Sequence, residues 1–412
     1  MVIRFEELYK DDLETQKARY LKLKTSYSAF FRDNGEADYF SAPGRSEIGG
    51  NHTDHQRGRV VAAAVNLDII AAARKRSDNT IVLKSEEYEK YDTIDITELD
   101  PVEDEKECSA AVIRGICARC KELGYKIGGF NAYTISSVLK GSGLSSSAAF
   151  EILVVTIISH FYNDGKIDPV TAAQIAQYAE NVYFGKPSGL LDQSASSVGG
   201  FTAIDFKDPR KPQFEKISLE LKDYGYNLCV VDTGGNHADL TCEYAAVPAD
   251  MKKVADYFGK EVLRDVDENE FMAEIPGIRS KVGDRPVLRA LHFFSDNKIA
   301  ALEAEALKSG DFEKFKSLVM ESGRSSFMYL QNVFACSAPE EQGLTLALAV
   351  SERILRGKGA YRVHGGGFAG TIQAYVPDEL LEAYRSEIER VFGKGSCYVL
   401  SVRGAGGTKV EI

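Results

Sequence analysis

One stretch constrains this chain more than any other. Residues 140–149 hold two glycines and three consecutive serines directly before a largely apolar segment, residues 150–161. The glycines let the backbone turn tightly, the serines supply hydroxyl groups and a helix N-cap, and the apolar segment is typical of a buried helix. The first-turn N–H groups and the positive end of the helix dipole can hold an anion. The stretch therefore predicts a phosphate-binding loop, although on its own a simple turn with a helix cap fits equally well.

Length and charge restrict the class of ligand. At 412 residues we expect two domains, since ~150 residues per domain is usual. The 50 basic and 61 acidic residues give a net charge of -11, which disfavours nonspecific binding to nucleic acid or an anionic membrane. No apolar run approaches the ~20 residues of a membrane span, and the charged N-terminus does not resemble a signal peptide. We therefore expect a cytoplasmic protein that acts on small molecules. A monomer is also expected.

The seven cysteines have no regular spacing. Cys117 and Cys120 form a lone C-x-x-C within a helical pattern, whereas zinc sites usually need a second such pair. Reduced and mostly buried thiols are therefore expected rather than a metal site or a disulfide.

The spacing of apolar residues predicts a mixed α+β fold. Helices are predicted at residues 5–33, 105–123, 150–161, 169–183, 298–309, 311–321 and 344–356. Strands are predicted at residues 39–45, 60–73, 80–83, 91–96, 130–136, 228–232, 371–376 and 397–402. The second half has strands and helices of its own, so we expect an N-terminal lobe, residues 1–205, and a C-terminal lobe, residues 206–412.

Three further segments carry candidate binding groups. Residues 46–58 are too polar for a plain connector, and a solvated hairpin turn is the alternative. Asp192 stands among leucines and small residues, where a buried carboxylate must be paired or shifted in pKa, unless it only caps the next helix. Residues 365–370 contain four glycines, more than a strand-entry turn needs, so a ligand or another backbone is expected against them. Such loops, with an arginine and an aspartate, suit phosphoryl transfer without a Walker loop.

These segments, in this order, resemble the GHMP family of small-molecule kinases. Ala42-Pro43-Gly44-Arg45 followed by Gly50-x-His52-Thr53-Asp54 resembles the first signature of its galactokinase branch. Residues 141–148 resemble the second family motif, and residues 365–370 resemble the third. The resemblance covers nearly the whole chain. It implies an α+β fold with a mixed β-sheet in the N-terminal lobe, an α/β sandwich in the C-terminal lobe, and an active site in the cleft between them.

The resemblance also implies roles for individual residues. Asp192 would take the proton of the sugar C1 hydroxyl, while Arg45 would keep Asp192 ionised and stabilise charge on the transferred group. Mg²⁺ would be bound by Glu180 and a serine hydroxyl, that of Ser147 or Ser146. The implied sugar contacts are Asn51, His52, Asp54, Gly189 and Tyr244. The phosphates of ATP would lie against Gly141, Ser142, Gly143, Leu144, Ser145, Ser146, Ser147 and Ala148.

Departures from the family pattern concern the sugar. The position before His-Thr-Asp usually carries a glutamate that reaches the C6 hydroxyl, and here it is Asn51, whose amide accepts a hydrogen bond but does not repel a carboxylate. Residues 46–49 differ from the usual Val-Asn-Leu-Ile, and His364 replaces a threonine. We expect ATP-dependent phosphorylation of galactose, with galacturonate, N-acetylgalactosamine or arabinose as alternative substrates. A sensor without catalysis is disfavoured, because such relatives lose serine-loop residues that are intact here.

Overall fold

The computed structural model describes residues 2–10, 12–33, 35–138, 143–186, 188–235 and 240–412. Strands are β1 Val2–Arg4, β2 Asp38–Gly49, β3 Arg59–Lys75, β4 Thr80–Ser85, β5 Asp92–Asp95, β6 Phe130–Ser136, β7 Phe201–Asp205, β8 Gln213–Ile217, β9 Tyr226–Asp232, β10 Ala360–His364, β11 Thr371–Pro377, β12 Cys397–Leu400 and β13 Thr408–Glu411. Helices are α1 Phe5–Leu8, α2 Leu13–Phe31, α3 Ser109–Glu122, α4 Ser146–Tyr162, α5 Pro169–Tyr178, α6 Leu191–Val198, α7 Thr241–Tyr257, α8 Glu268–Val282, α9 Asp284–Ser309, α10 Phe312–Ser325, α11 Gly343–Leu355 and α12 Leu381–Phe392. The α+β class expected from the sequence is confirmed.

A large mixed sheet is built around β3. Its strand order is β1-β13-β2-β3-β6-β4-β5, and β7 and β8 extend from one end of β3. The β1–β13 and β4–β6 pairs are parallel and the other pairs are antiparallel. Strand β3 is rich in alanine, valine and isoleucine because both of its faces are covered: Ala71 and Ala73 pack into one core cluster, Ile70 and Ala72 into another. Helix α4 packs against β2 and β3, and α2 packs against β3 and β6.

The second sheet is antiparallel and has the strand order β10-β11-β9-β12. Helices α11 and α12 pack on it. The expected lobe boundary at residue 205 stays a prediction. Two strands from beyond that boundary, β8 and β13, hydrogen-bond into the large sheet, so sheet membership does not follow it. Among the described residues, no helix combines the length and the apolar character that crossing a membrane requires.

The polar run at residues 46–58 is not a loop throughout. Strand β2 continues to Gly49, so only residues 50–58 connect it to β3. The polar side chains of this part of β2 find partners from the second half of the chain: Ser46 bonds His364 at 3.0 Å, and Glu47 bonds Arg362 at 2.6 Å. A local pattern cannot reveal such partners, which is why the sequence favoured a loop.

The helix predicted to end near residue 183 changes geometry on the way. Asp168 caps α5 by accepting hydrogen bonds from the backbone N–H groups of Val170 and Thr171, as expected for an aspartate before a proline. After Tyr178 the chain continues as a π-helical turn, Ala179–Phe184, which contains Glu180. Single π-turns are often found at functional sites.

Candidate active site

The described part of the serine loop begins at Gly143 and leads into α4. Ser145 is the N-cap residue of α4, with a left-handed backbone (φ 54°) and no capping hydrogen bond from its side chain. Its hydroxyl therefore does not close the helix end, which leaves the positive N-terminus of α4 available to an anion. Ser147 is exposed in the first turn of α4. Gly141 and Ser142, which were also expected to contact ATP, lie outside the described residues.

Arg45 joins this loop to Asp192. Its Nε and Nη2 atoms donate to the two carboxylate oxygens of Asp192, each at 2.6 Å. Its Nη1 atom donates to the carbonyl of Gly143, and its backbone N–H donates to the carbonyl of Leu144 at 2.9 Å. The hydroxyl of Ser145 donates to Oδ2 of Asp192 at 2.7 Å. One guanidinium thus holds both the loop and the carboxylate, although their residues are about a hundred positions or more from Arg45 in the sequence.

Asp192 is an ionised carboxylate with an accessible edge. It lies in the first turn of α6 and does not cap the helix, because Leu190 occupies the N-cap position. Burial alone would raise the pKa of Asp192, but the charge and hydrogen bonds of Arg45 and the hydroxyl of Ser145 lower it below its ordinary value. The side chain keeps 35% of its surface exposed, so a ligand can approach it.

Glu180 is buried and held by three neighbours. Its carboxylate accepts hydrogen bonds from the Ser188 hydroxyl at 2.5 Å and from Nε2 of Gln193 at 2.8 Å, and Lys186 pairs with it at 3.1 Å. These contacts fix the carboxylate without consuming all of its lone pairs.

Gln193 ties Glu180 to the two helices that carry the other candidate groups. It follows Asp192 in α6, and the same Nε2 atom donates to Glu151 of α4 at 3.0 Å. Glu151 is one helical turn after Ser147. The oxygen donors of Glu180 and Ser147 are hard ligands of the kind that Mg²⁺ prefers, so the residues present fit that ion.

A cavity of about 480 Å³ lies next to the N-terminus of α6, within the size range of small-ligand pockets. It is lined by four of the five residues expected to contact the sugar: His52, Asp54, Gly189 and Tyr244. The lining reaches Leu190, two residues before Asp192, although Asp192 itself is not part of it.

The glycine-rich turn between β10 and β11 holds two of these side chains. Nε2 of His52 donates to the carbonyl of Gly366 at 2.9 Å, and the hydroxyl of Tyr244 donates to the carbonyl of Gly367 at 2.8 Å. A Cβ atom on Gly366 would lie 2.6 Å from the Tyr244 ring, so only glycine fits there. Burial lowers the pKa of His52 to about 4 and raises the pKa of Tyr244 to about 12. Both groups are therefore neutral near pH 7, and His52 keeps Nδ1 as an acceptor.

Asp54 and Gly189 are matched in shape. A Cβ atom on Gly189 would lie 2.4 Å from Oδ2 of Asp54, so the glycine makes room for the carboxylate. Burial raises the pKa of Asp54, and the negative charge of Asp192 adds to this rise. Asp192 is thus close enough to Asp54 to make its ionisation less favourable.

Asn51 is not among the residues that line the cavity. The side chain is fully buried. Its Nδ2 atom donates to the carbonyl of Gly365 at 2.6 Å and to Glu47 at 2.9 Å, and its Oδ1 atom accepts from Asn332 at 2.9 Å. The contact between Asn51 and the sugar stays a prediction, and this buried placement does not favour it.

Glu47 is a cavity residue that the sequence analysis did not assign. It sits near the end of β2, and burial raises its pKa to about 7 although the charge of Arg362 lowers it. The one sequence signal that could have pointed to Glu47 was an acid within residues 46–49, a segment that departs from the family pattern. That departure could not show that the side chain points into the cavity, because its partner Arg362 is more than three hundred residues away.

Two family models match segments of this chain. The family model described as "GHMP kinases N terminal domain" matches residues 110–200, which include the serine loop, Glu180 and Asp192. The model described as "Galactokinase galactose-binding signature" matches residues 25–75, which include Arg45, His52 and Asp54.

Full-length relatives agree with these matches. The galactokinase of Glaesserella parasuis is 30% identical over 358 residues, covering 86% of this chain and 88% of that protein, and the galactokinase of Lactococcus lactis subsp. lactis is 28% identical over 402 residues, covering 95% and 96%. The crystal structure of Lactococcus lactis galactokinase complexed with galactose superposes with a TM-score of 0.79 at 26% identity, covering 95% of this chain and 99% of that one. Methanococcus jannaschii mevalonate kinase shares the fold, with a TM-score of 0.62 at 17% identity over 90% of this chain and 99% of that one. The resemblance seen in the motifs is therefore confirmed, and the chain belongs to the galactokinase family of GHMP kinases.

Proposed function

We propose that this chain transfers the γ-phosphoryl group of ATP to the C1 hydroxyl of galactose, giving galactose 1-phosphate and ADP. The observation that carries the proposal is the bidentate Arg45–Asp192 pair, which Ser145 links to the serine loop next to a cavity lined by His52 and Asp54. The relatives named galactokinase, at 28–30% identity over most of the chain, support the same reaction.

Asp192 is proposed as the group that takes the proton of the C1 hydroxyl. A sugar hydroxyl is a poor nucleophile, so a carboxylate within hydrogen-bond reach assists when it accepts the proton as the phosphorus–oxygen bond forms. Arg45 keeps this carboxylate ionised and fixes its orientation through two hydrogen bonds. Asp192 therefore starts the reaction in the form that can accept a proton.

The N-terminus of α4 and Arg45 are proposed to stabilise the phosphate groups. Transfer of a phosphoryl group depends mainly on positioning and on charge stabilisation. The helix end offers N–H groups and a positive dipole, and Arg45 brings a full positive charge to the adjoining loop.

Mg²⁺ is proposed to bind to Glu180 and Ser147 together with phosphate oxygens of ATP. When bound, the ion would neutralise part of the phosphate charge. Glu180 is preset for this role by Ser188 and Gln193, which hold its carboxylate in one orientation.

The cavity is proposed to hold the sugar through His52, Asp54 and Tyr244. The carboxyl group of Asp54, Nδ1 of His52 and the hydroxyl of Tyr244 can each form a directional hydrogen bond with a hydroxyl group of the sugar ring. Gly189 contributes space rather than a contact, because any larger residue would displace Asp54. We expect this set to select among sugars by the direction of their hydroxyls.

The proposal is tested by measuring ADP release with galactose, galacturonate, N-acetylgalactosamine and arabinose, and by identifying the position of the new phosphate by phosphorus NMR. Galactose should give the highest kcat/KM and a C1 phosphate. The Asp192→Asn variant should lose at least ~100-fold in kcat, as expected for removal of a general base, while calorimetry still detects sugar binding.

Two results would contradict the proposal in different ways. A preference of about tenfold or more for another of these sugars, which is about 1.4 kcal/mol, would change the substrate but keep the reaction. Binding of ATP and galactose without any turnover in the unmutated protein would favour a sensor instead.

A further inference from the structure

The carboxylate of Glu47 is fixed in the cavity wall by contacts on only one of its two oxygens. Oε1 accepts a hydrogen bond from Nη2 of Arg362 at 2.6 Å and another from Nδ2 of Asn51 at 2.9 Å. Within the described part of the chain, Oε2 has no hydrogen-bond partner, and it is not a buried atom. Because Glu47 lines the cavity beside His52 and Asp54, this second oxygen is the one that can accept a hydrogen bond from a ligand in the cavity.

The support behind Glu47 is rigid. Arg362 is fully buried and donates further hydrogen bonds to the Ser322 hydroxyl at 2.9 Å and to the backbone carbonyls of Ile48 and Val363 at 3.3 and 3.0 Å. Its guanidinium therefore cannot follow a moving carboxylate, and the position of Glu47 is set before any ligand enters. Preset charged acceptors are the groups that discriminate best between ligands with and without a hydroxyl.

Asn51 supports the Glu47 carboxylate from within the protein. Both polar atoms of its amide are used inside the protein, and its exposed fraction is 0%. Contact with a ligand would require breaking these buried hydrogen bonds and leaving their partners unsatisfied.

We propose that Glu47 is a specificity-determining residue that accepts a hydrogen bond from a hydroxyl of the bound sugar, with Asn51 and Arg362 as its positioning residues. The inference rests on the proposed function, because it concerns the sugar in the same cavity. It also means that a carboxylate lines the wall although the residue before His52 is an amide. Above the pKa of about 7 that burial gives Glu47, a sugar that itself carries a carboxylate would meet a second negative charge in the cavity wall and be repelled.

Glu47→Gln is the sharpest test. Glutamine keeps a carbonyl oxygen that can accept both existing hydrogen bonds, and it replaces only the outward oxygen with an amide donor. The kcat/KM of this variant and of the unmutated protein is measured at pH 8, above the pKa of about 7 of Glu47, so that most of this carboxyl group is ionised. The substrates are galactose, its 2-, 3-, 4- and 6-deoxy analogues, and galacturonate. We expect a loss of roughly 10- to 100-fold on galactose, the usual value of a hydrogen bond to a charged group. The loss should be much smaller on the one analogue that lacks the contacted hydroxyl, and KM for ATP should not change.

Glu303→Gln is the matched control. Glu303 is a fully buried acid on α9 next to Gly49, and burial raises its pKa well above the ordinary value, which favours its neutral form. Its replacement should leave the ranking of sugars unchanged. Thermal unfolding of each variant shows whether it is folded, and Glu47→Asp, which keeps the charge but shortens the reach, is measured in the same way if Glu47→Gln does not fold.

The outcomes separate the two proposals. If the unmutated protein releases ADP with galactose but Glu47→Gln loses the same factor on every sugar, or loses nothing, the role of Glu47 is refuted and the proposed function stands. If the unmutated protein uses galacturonate as well as galactose, the role of Glu47 is also refuted. If the unmutated protein phosphorylates none of the sugars, the proposed function fails and the inference fails with it.

Discussion

Arg45→Lys tests whether one guanidinium couples the serine loop to Asp192. The arginine makes two 2.6 Å hydrogen bonds to the carboxylate of Asp192 and a third to the carbonyl of Gly143. Lysine keeps the positive charge but carries a single nitrogen, which cannot match both carboxylate oxygens and the loop in the same geometry. The substitution therefore changes the geometry of the pair while it preserves the charge.

The size of the effect follows from the contacts. At least one charge-assisted hydrogen bond to Asp192 is lost, and such a bond contributes about 1.5–3 kcal/mol. Because 35% of the Asp192 side chain is exposed, water screens the interaction and reduces the loss to about 1–2 kcal/mol. This corresponds to roughly 5- to 30-fold in rate. The lost contacts orient the carboxylate rather than hold the sugar, so we expect the decrease in kcat, with KM for galactose changing by less than about twofold.

Steady-state ADP release at saturating ATP measures both constants. Arg19→Lys is the matched control, because Arg19 pairs with Asp68 at 2.9 Å and has a side chain of similar exposure, 17% against 12% for Arg45. That pair does not contact the cavity residues, so its loss should lower the unfolding temperature without changing kcat. An unchanged kcat in Arg45→Lys, or equal decreases in the two variants, would refute the coupling.

Two further substitutions address the sugar and the metal. Gly189→Ala should raise KM for galactose, because the new Cβ atom would lie 2.4 Å from Oδ2 of Asp54 and must push that carboxylate away, and an unchanged KM would contradict this packing. Ser147→Ala should raise the Mg²⁺ concentration needed for half-maximal rate by about tenfold, with Ser146→Ala as the control. A larger effect in Ser146→Ala would move the metal ligand to that serine.

The sequence predicted the fold class and most of the elements because their signals are local. Strand β3 is marked by its run of alanine, valine and isoleucine, and α5 is marked by an aspartate before a proline. The serine loop before α4 and the glycine cluster before β11 were found in the same way, from local runs of glycine and serine, and the resemblance to a known family gave them a function. Four of the five expected sugar contacts line one cavity. They could be predicted together because the resemblance to a known family relates their positions.

The features that the sequence missed depend on partners that are distant in the chain. Residues 46–49 look like a loop because their polar side chains need Arg362 and His364, which no local pattern connects to them. For the same reason the sequence could not show the surroundings of Asn51, whose contact with the sugar stays a prediction. Its buried position depends on Gly365 and Asn332, which only the folded chain brings next to it.

The third glycine-rich motif, residues 365–370, affects the candidate site because its backbone carbonyls hold side chains at or next to the cavity. Gly365 and Gly367 have φ angles of 68° and 77°, which directs the carbonyls of this turn toward the start of the β2–β3 connection and toward α7. Asn51, His52 and Tyr244 each donate to one of three successive carbonyls, at residues 365, 366 and 367. A backbone carbonyl cannot be replaced by mutation, so the arrangement depends on the turn conformation, and glycine is the residue that permits it. The motif therefore sets the positions of His52 and Tyr244 in the cavity wall together, and a change in this turn alters both side chains at once.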